Sequence, residues 1–385
     1  MNLDVSASDA AFREEVRTWI NENGPTEPRP RDSKAMREFD LAWQRKQWEG
    51  GWAGIDWPVE YGGRGLSLLQ QVIWYEEYAK LGLPGIDSRF VGNSHAGPTL
   101  ISRATEAHKS FHLPKILRGE VVWCQGFSEP EAGSDLASLQ TSAVIDGDHL
   151  VVNGQKLWTS FAAVADWQEL LVRTDRDAPK HRGITWVICD MHSPGIEVRP
   201  IDTIDGGHEF NEVFYDEVRI PLSNVVGDIN DGWSVAMSTL SFERGTAFTL
   251  NQMLLSEAIE QLIKLVKDNG GIDDVEVSRA LAGARAEVAA LRAMTYAGVS
   301  RNAVRPEPGP EGSMLKLYFA DLGQRIYRLA VDILDSDGMR VQPPGRFGEK
   351  DWVGDYLMSY SFSIGGGTSE IMKNIIGERV LGLPR

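Results

Sequence analysis

Over residues 9–23 apolar side chains recur with a helical period: Phe12, Val16, Trp19 and Ile20 fall on one stripe with charged residues between them. Residues 69–81 and 100–117 carry similar amphipathic runs, and the stretch 51–66 ahead of them is rich in turn residues. The first third therefore reads as helical. From 121 to about 227 the texture changes to short β-branched runs: Ala143-Val-Ile-Asp-Gly-Asp-His-Leu-Val-Val, Gly183-Ile-Thr-Trp-Val-Ile-Cys and Gly195-Ile-Glu-Val-Arg-Pro. Asp146-Gly147 and Asn153-Gly154 are hairpin-type signals. Beyond Gly232 the helical period returns over 233–268, 274–304, 312–337 and 368–381, with Pro306, Pro308 and Pro310 marking an interhelical loop. The pattern predicts an α+β chain: an N-terminal helical domain (1–120), a small β-domain (121–230) and a C-terminal four-helix bundle (231–385). Clefts at such junctions are where cofactors and small ligands bind, so function is expected there.

Composition narrows the class. The 385 residues, 42% hydrophobic and 24% charged, suffice for a sizeable core. Apolar stretches are interrupted well before the roughly 18–20 residues of a membrane span, and residues 1–10 are polar and acidic, so neither an anchor nor a signal peptide is expected. Cys124 and Cys189 lack the spacing of a zinc site or a disulfide framework and read as buried, inert thiols in a reducing cytoplasm. A net charge of −16 argues against a nucleic-acid surface, while an anionic ligand would need local positive groups. His95, His108, His112 and His208 show no ligand spacing, so no metal site is expected.

The motifs are more specific. Trp123-Cys-Gln-Gly-Phe-Ser-Glu-Pro-Glu-Ala-Gly-Ser-Asp135 opens the β-domain, and Lys156-Leu-Trp-Thr-Ser160 lies within it. Arg219-Ile-Pro221, Gly227 and Gly232-Trp233 close it. At the C-terminus Gly365-Gly-Gly-Thr-Ser-Glu-Ile371 precedes Ile375-Ile-Gly-Glu-Arg-Val380, a glycine-rich turn leading into a helix, where backbone N–H groups can approach a phosphate. In this order the segments resemble the signatures of the acyl-CoA dehydrogenase family over nearly the whole chain.

That resemblance implies a barrel-like middle domain, FAD as cofactor and α,β-dehydrogenation of an acyl-CoA thioester. It places the backbone around Gln125 and Phe127 and the side chain of Ser128 against the isoalloxazine, with Trp158 and Ser160 covering other parts. Thr368 and Glu370 would follow the phosphate and sugar region. Ser134, Ser241, Arg244 and Gly367 fall at substrate-contacting positions, and an electron-transfer flavoprotein is the implied acceptor.

The reaction needs a carboxylate base in a water-poor pocket, where desolvation raises its pKa. The commonest family pattern puts that Glu where this chain has Gly366. Members resembling isovaleryl- and long-chain acyl-CoA dehydrogenases instead draw the base from the first long bundle helix, as a Glu-Arg pair, and Leu240-Ser-Phe-Glu-Arg-Gly245 matches it. Glu243 is accordingly the expected base. Gly366 keeps the backbone N–H that the family offers to the enolate-like oxygen.

Two motifs depart from the family. The Arg-x-x-Phe-Gly run that reaches a neighbouring subunit's FAD is replaced by Lys267-Asp-Asn-Gly-Gly271, and Gln-x-x-Gly-Gly-x-Gly by Asp332-Ile-Leu-Asp-Ser-Asp-Gly338. Aspartates there would repel a pyrophosphate. Segments serving the chain's own flavin persist while those lent to a neighbour are lost, which a symmetric homodimer does not tolerate. The expectation is a two-plus-two tetramer with a paralogous subunit, an arrangement that bacterial dehydrogenases of steroid side chains resemble. Two alternatives stay open: a non-catalytic partner of an active paralogue, and a flavin monooxygenase or oxidase on the same fold.

Overall fold

The computed structural model describes residues 6–83, 87–242, 249–302, 309–310, 312–338 and 351–384. In chain order these form helices α1 (Ala7–Asn23), α2 (Ser33–Glu49), α3 (Leu68–Ala79), α4 (Gly97–Arg103) and α5 (Glu106–Leu117). Strands follow: β1 (Trp123–Gly126), β2 (Ser142–Asp146), β3 (His149–Ser160), β4 (Trp167–Arg173), β5 (Ile184–Asp190), β6 (Ile196–Pro200), β7 (Phe210–Pro221) and β8 (Val225–Val226). Helices α6 (Gly232–Phe242), α7 (Thr249–Asp268), α8 (Val275–Asn302), α9 (Gly312–Gly338), α10 (Trp352–Ser359) and α11 (Ser369–Ile375) complete an α+β chain. One compact unit consists of Met1–Arg29, Leu66–Gly85 and Arg244–Arg385; the other consists of Pro30–Gly65 and Ile86–Glu243.

The helical unit is built on α7, α8 and α9. Leu255, Ala258, Ile259, Leu262 and Val266 repeat at three- and four-residue steps along α7 and meet Leu281, Val288 and Leu291 of α8 and Phe319, Leu322 and Ile326 of α9. Helix α1 turns Phe12, Val16 and Ile20 inward, and packs on α3, which in turn packs on α7 and α8. Ser67 and Gln70 form a reciprocal capping box that starts α3.

Charge adds to this packing. Glu76 and Glu77 of α3 are buried, and Arg13 of α1 reaches Glu76 at 2.6 Å and Glu77 at 2.9 Å. Arg17 and Lys80 also hold Glu77, at 3.1 and 2.7 Å, while Arg292 of α8 reaches Glu76 at 2.5 Å. Burial alone would push the Glu77 carboxyl up, but the hydrogen bonds from Arg17, Lys80 and Arg13 bring it down to about 2.

In the second unit one sheet runs in the order β6-β7-β3-β2-β4-β5-β8, with β1 added parallel to β4. Leu170 and Val172 of β4, Val187 and Cys189 of β5, Leu150 and Val152 of β3, and Val213 and Tyr215 of β7 share one cluster, so the sheet curls around its own core. The opposite face of β4 and β5, with Leu171, Ile184, Trp186 and Ile188, packs against Leu100 of α4, Leu113 and Ile116 of α5, and Val235 of α6. Strands covered on both faces read as unbroken apolar runs.

The structure changes several details of the expected pattern. Asp146-Gly147 does form a hairpin turn, with Asp146 paired to His149 and Gly147 at φ +63°. Asn153-Gly154 does not: it lies inside β3 at a register shift, and a Cβ on Gly154 would come within 2.7 Å of the Thr141 backbone. Helix α2, absent from the expected pattern, buries polar Asp40, Gln44 and Gln47 beside Met36 and Leu41. The run 100–117 is two helices, the second capped by Thr105. Of the expected helix 233–268, α6 lies in the sheet-bearing unit and α7 in the helical one.

Cys124 aligns with Gln168 and Gln168 with Cys189, which puts the two cysteines about 9–10 Å apart across two strand spacings, beyond disulfide reach. Both are buried, and burial pushes the Cys189 thiol up to about 12. No helix among the described residues is long and apolar enough to cross a membrane.

A lowered folded-state pKa stabilises above the unfolded value and is lost as pH falls through the folded one. Glu77 should thus contribute on the order of 3 kcal/mol at neutral pH, draining away as pH falls from about 4.5 towards 2. Thermal unfolding of Glu77→Gln across that window should show a flattened acid limb and a lower neutral-pH midpoint. An acid limb as steep as that of the unmodified chain would disprove the assignment.

Candidate functional site

Strand β1 ends at Gly126 and runs into Phe127-Ser128-Glu129, a loop held by a buried ion pair. Lys156 of β3 is fully buried, and its Nζ donates to Glu129 Oε1 at 2.7 Å and to the Phe127 carbonyl at 3.0 Å. Glu129 also accepts the backbone N–H groups of Thr141 (2.9 Å) and Gln140 (2.6 Å). Burial pushes the Lys156 ammonium down to about 8, with Glu129 opposing the shift. Burial also disfavours the Glu129 carboxylate, yet Lys156 and the surrounding N–H donors hold its carboxyl below the usual range.

Immediately after Lys156 the β3 ladder breaks register. Lys156 pairs with Val213 and Thr159 with Asn211, three steps along β3 against two along β7, so one extra residue bulges out. Trp158 there has φ +60° and is 54% exposed, an unusual placement for a large aromatic side chain. Its ring stands edge-on to Phe210 at 6.0 Å. The N–H of Leu157 donates to the Ser128 carbonyl at 2.9 Å, joining the bulge to the loop after β1. Gln125, Phe127, Ser128, Trp158 and Ser160 are thus gathered along one connected stretch of sheet, with Ser128 and Ser160 half-buried. The Phe127 side chain is 3% exposed and packs into the core on the helix-covered face, leaving only its backbone for a ligand.

Gln125 sits above a buried polar group. Its Nε2 donates to Glu169 Oε1 at 2.7 Å and to His95 Nδ1 at 3.1 Å. His95 lies on a one-turn π-helix, Gly92–Ala96, an irregularity often seen near functional sites. His112 is different: burial among Phe111, Trp123 and Trp167 pushes it down to about 4, a neutral packing residue. His108 bonds the Ser223 carbonyl, and exposed His208 lies beside Asp202. Among the described residues no group of three His, Cys, Asp or Glu could hold a metal ion.

The same unit carries an open cleft of about 610 Å³ between the β4–β5 loop, the turn before α6 and the start of α6. His181, Arg182, Asn230 and Trp233 line it, with His181 edge-on to Trp233 at 4.9 Å. Lys180 pairs with Asp135 at 2.8 Å, tying this loop to the exposed segment that carries Ser134. Sequence reasoning missed the cleft, although the basic run Lys180-His181-Arg182 stands out in an acidic chain. Ser241, near the end of α6, is exposed and donates to the Ser238 carbonyl at 2.7 Å. Glu243 and Arg244 lie outside the described residues.

The C-terminal turn belongs to the other unit. Gly366 and Gly367 have φ +67° and +98°, left-handed values that favour glycine, so a side chain at 366 would cost about 1–2 kcal/mol of backbone strain. The Gly367 carbonyl accepts from buried Lys316 at 2.5 Å. Thr368 caps α11 by accepting the N–H of Ile371 at 3.3 Å, and Glu370 is exposed.

Family models match the three parts of the chain: the acyl-CoA dehydrogenase N-terminal domain over 6–120, the middle domain over 124–218 and the C-terminal domain over 230–381. The acyl-CoA dehydrogenase IpdE1 of Mycobacterium tuberculosis is 39% identical over 386 residues, covering 97% of each chain. Among solved structures, the Tcur3481-Tcur3483 steroid ACAD superposes with a TM-score of 0.90 at 32% identity, covering 100% of both chains. The ChsE4-ChsE5 complex from Mycobacterium tuberculosis gives 0.84 at 30%, also over 100% of both chains.

Removing one partner of a buried pair strands the other charge. Lys156→Met should lower stability by about 3–5 kcal/mol, and Lys156→Met with Glu129→Gln should cost less than the two single losses added together. Denaturant unfolding of the three variants checks this. A Lys156→Met loss under about 1 kcal/mol, the range of an exposed pair, would show that the ion pair does not hold the loop.

Proposed function

This chain belongs to the acyl-CoA dehydrogenase family, and from that premise we propose that it oxidises the α,β bond of a steroid side-chain or other branched acyl-CoA with FAD, as one subunit of a heteromer. The observation that carries the flavin assignment is the bond from the Leu157 N–H to the Ser128 carbonyl, which joins half-buried Ser128 to the bulge that bears the exposed Trp158 ring. A planar cofactor fits such a surface. Backbone at Gln125 and Phe127 and the Ser128 hydroxyl would face the ring, Trp158 and Ser160 would cover it, and Thr368 and Glu370 would follow the phosphates and sugar. FAD, when bound, supplies the acceptor for the β-hydride.

The chain's own residues do the rest. Glu243 takes the α-proton, a role suited to a carboxylate whose pKa is raised in an apolar pocket. The backbone N–H of Gly366 holds the thioester oxygen as charge develops there. The left-handed turn at 366 suits glycine, which is consistent with a base drawn from elsewhere in the sequence. Ser134, Ser241, Arg244 and Gly367 contact the substrate. The 610 Å³ cleft beside the Ser134 segment, with Arg182 and His181 on its wall and Lys180 adjacent, suits the phosphate-bearing nucleotide end of CoA.

The partner follows from what is missing. Asp332 and Asp335 of α9 are exposed where the family places a neutral, glycine-rich segment, and the run after α7 offers no arginine. A paralogous subunit supplying those groups completes the flavin site. Similarity to the two-protein steroid ACAD and the ChsE4-ChsE5 complex supports this assembly and the steroid side-chain substrate class. An electron-transfer flavoprotein is the proposed acceptor.

Anaerobic titration of the assembled enzyme with a panel of acyl-CoA thioesters should bleach the flavin. Glu243→Gln should retain acyl-CoA binding and lose bleaching rate by about a hundred- to ten-thousand-fold. Unchanged bleaching would remove Glu243 from the mechanism. Absence of bleaching across the panel would favour the non-catalytic partner, and turnover only with oxygen the monooxygenase or oxidase.

A further inference from the structure

We propose that Asn211 is a positioning residue that sets the orientation of the Trp158 ring by clamping the β3 bulge on which that ring stands. The inference rests on the reading that Trp158 covers the flavin.

A bulky residue at positive φ costs about 1–3 kcal/mol and persists only where its surroundings over-determine it. Trp158 and Phe161 both have φ +60°, so the strand turns left-handed twice within four residues. Such a segment cannot complete a regular ladder, and its carbonyls need donors from elsewhere. Asn211 supplies them. It is fully buried, stands opposite Thr159 in the register, and its Nδ2 donates to the Thr159 carbonyl at 3.0 Å and to the Glu209 carbonyl at 3.2 Å. The Phe161 N–H meets that same Glu209 carbonyl at 2.6 Å. One carboxamide thus bridges the bulged strand and its neighbour on the C-terminal side of Trp158, while the Leu157–Ser128 bond holds the N-terminal side.

The chemistry of the clamp is one-sided. Asn211 Oδ1 has no hydrogen-bond partner among the described residues, so the two N–H donors carry its contribution. Asn211 also follows Phe210, whose ring supports Trp158 edge-on, so a shift of β7 at Asn211 moves both supports of the indole. An aspartate would be the same size and would set a carboxylate against two carbonyl oxygens. An alanine would leave those carbonyls without their side-chain donor.

The test is a double-mutant cycle on the flavoprotein, purified with its partner subunit where assembly requires one. Asn211→Asp, Asn211→Ala, Trp158→Ala and the combinations are read by FAD dissociation constant, flavin absorbance envelope and melting temperature. Asn211→Asp should weaken FAD by about tenfold or more and shift the flavin band, with Asn211→Ala between it and the unmodified protein. In the Trp158→Ala background the same substitution should change FAD affinity by less than about twofold, because the ring through which it acts is gone. Equal effects in both backgrounds, or no effect in either, would overturn the proposal. Trp158→Ala that binds FAD normally would overturn the flavin reading of Trp158 and this inference with it. Should Asn211→Asp fail to fold, Asn211→Ser, which retains one donor, runs the same cycle.

Discussion

The candidate site depends on one buried ion pair. Lys156 sits in the β3 ladder with no solvent exposure, and its ammonium is held by Glu129 and the Phe127 carbonyl. Glu129 in turn collects the N–H groups of Gln140 and Thr141, where the chain enters β2. A charge in such a place is tolerable only when fully partnered, so the geometry around it has little freedom. Residues before and after Lys156 in the ladder, and before and after Glu129 in the loop, inherit that constraint. Ser128 and Trp158 are the ones that belong to the proposed flavin site.

Around this pin the sheet-bearing unit is unusually well supported. Strands β4 and β5 are buried on both faces, so β1, which lies beside β4, has a stiff neighbour along its length. Gln125 is fixed in turn by Glu169 directly opposite it on β4 and by His95 from the π-turn. Functional surfaces built on strands locked from behind hold their geometry better than loops do. Several departures from regularity fall near the proposed cofactor surface: the bulge after Lys156, left-handed Trp158 and Phe161, and the π-turn that carries His95.

Much of this was legible in the sequence, and the exceptions have physical causes. Period alone located α1, α3, α7, α8 and α9, because their apolar stripes face cores as Leu255 to Val266 do, while the short α10 was not among the expected helices. Helix α2 escaped because its buried face mixes polar side chains with Met36, Leu41 and Trp43: Asp40 bonds Ser88, and Gln44 bonds Asn93 and the Leu117 carbonyl, residues far away in the chain. Asn153-Gly154 looked like a turn because the dipeptide suits either a hairpin or a bulge, and only the approach of Thr141 decides between them. The motif around Lys156 and Trp158 was recognisable. That Trp158 stands outward on a bulge was not, since the asparagine that bonds the next residue, Thr159, lies 52 residues from Thr159 in the chain and carries no local signal.

In the proposed site the loop after β1 and the Trp158 bulge form one cofactor surface held by Lys156 and Glu129. Amide hydrogen exchange on the assembled protein, with and without FAD, tests it most directly. FAD is expected to slow exchange in peptides covering 125–129 and 157–161 together, with little change in the outlying β2–β3 turn at 146–149. Protection confined to other segments, or the same exchange at both stretches whether or not FAD is bound, would contradict it.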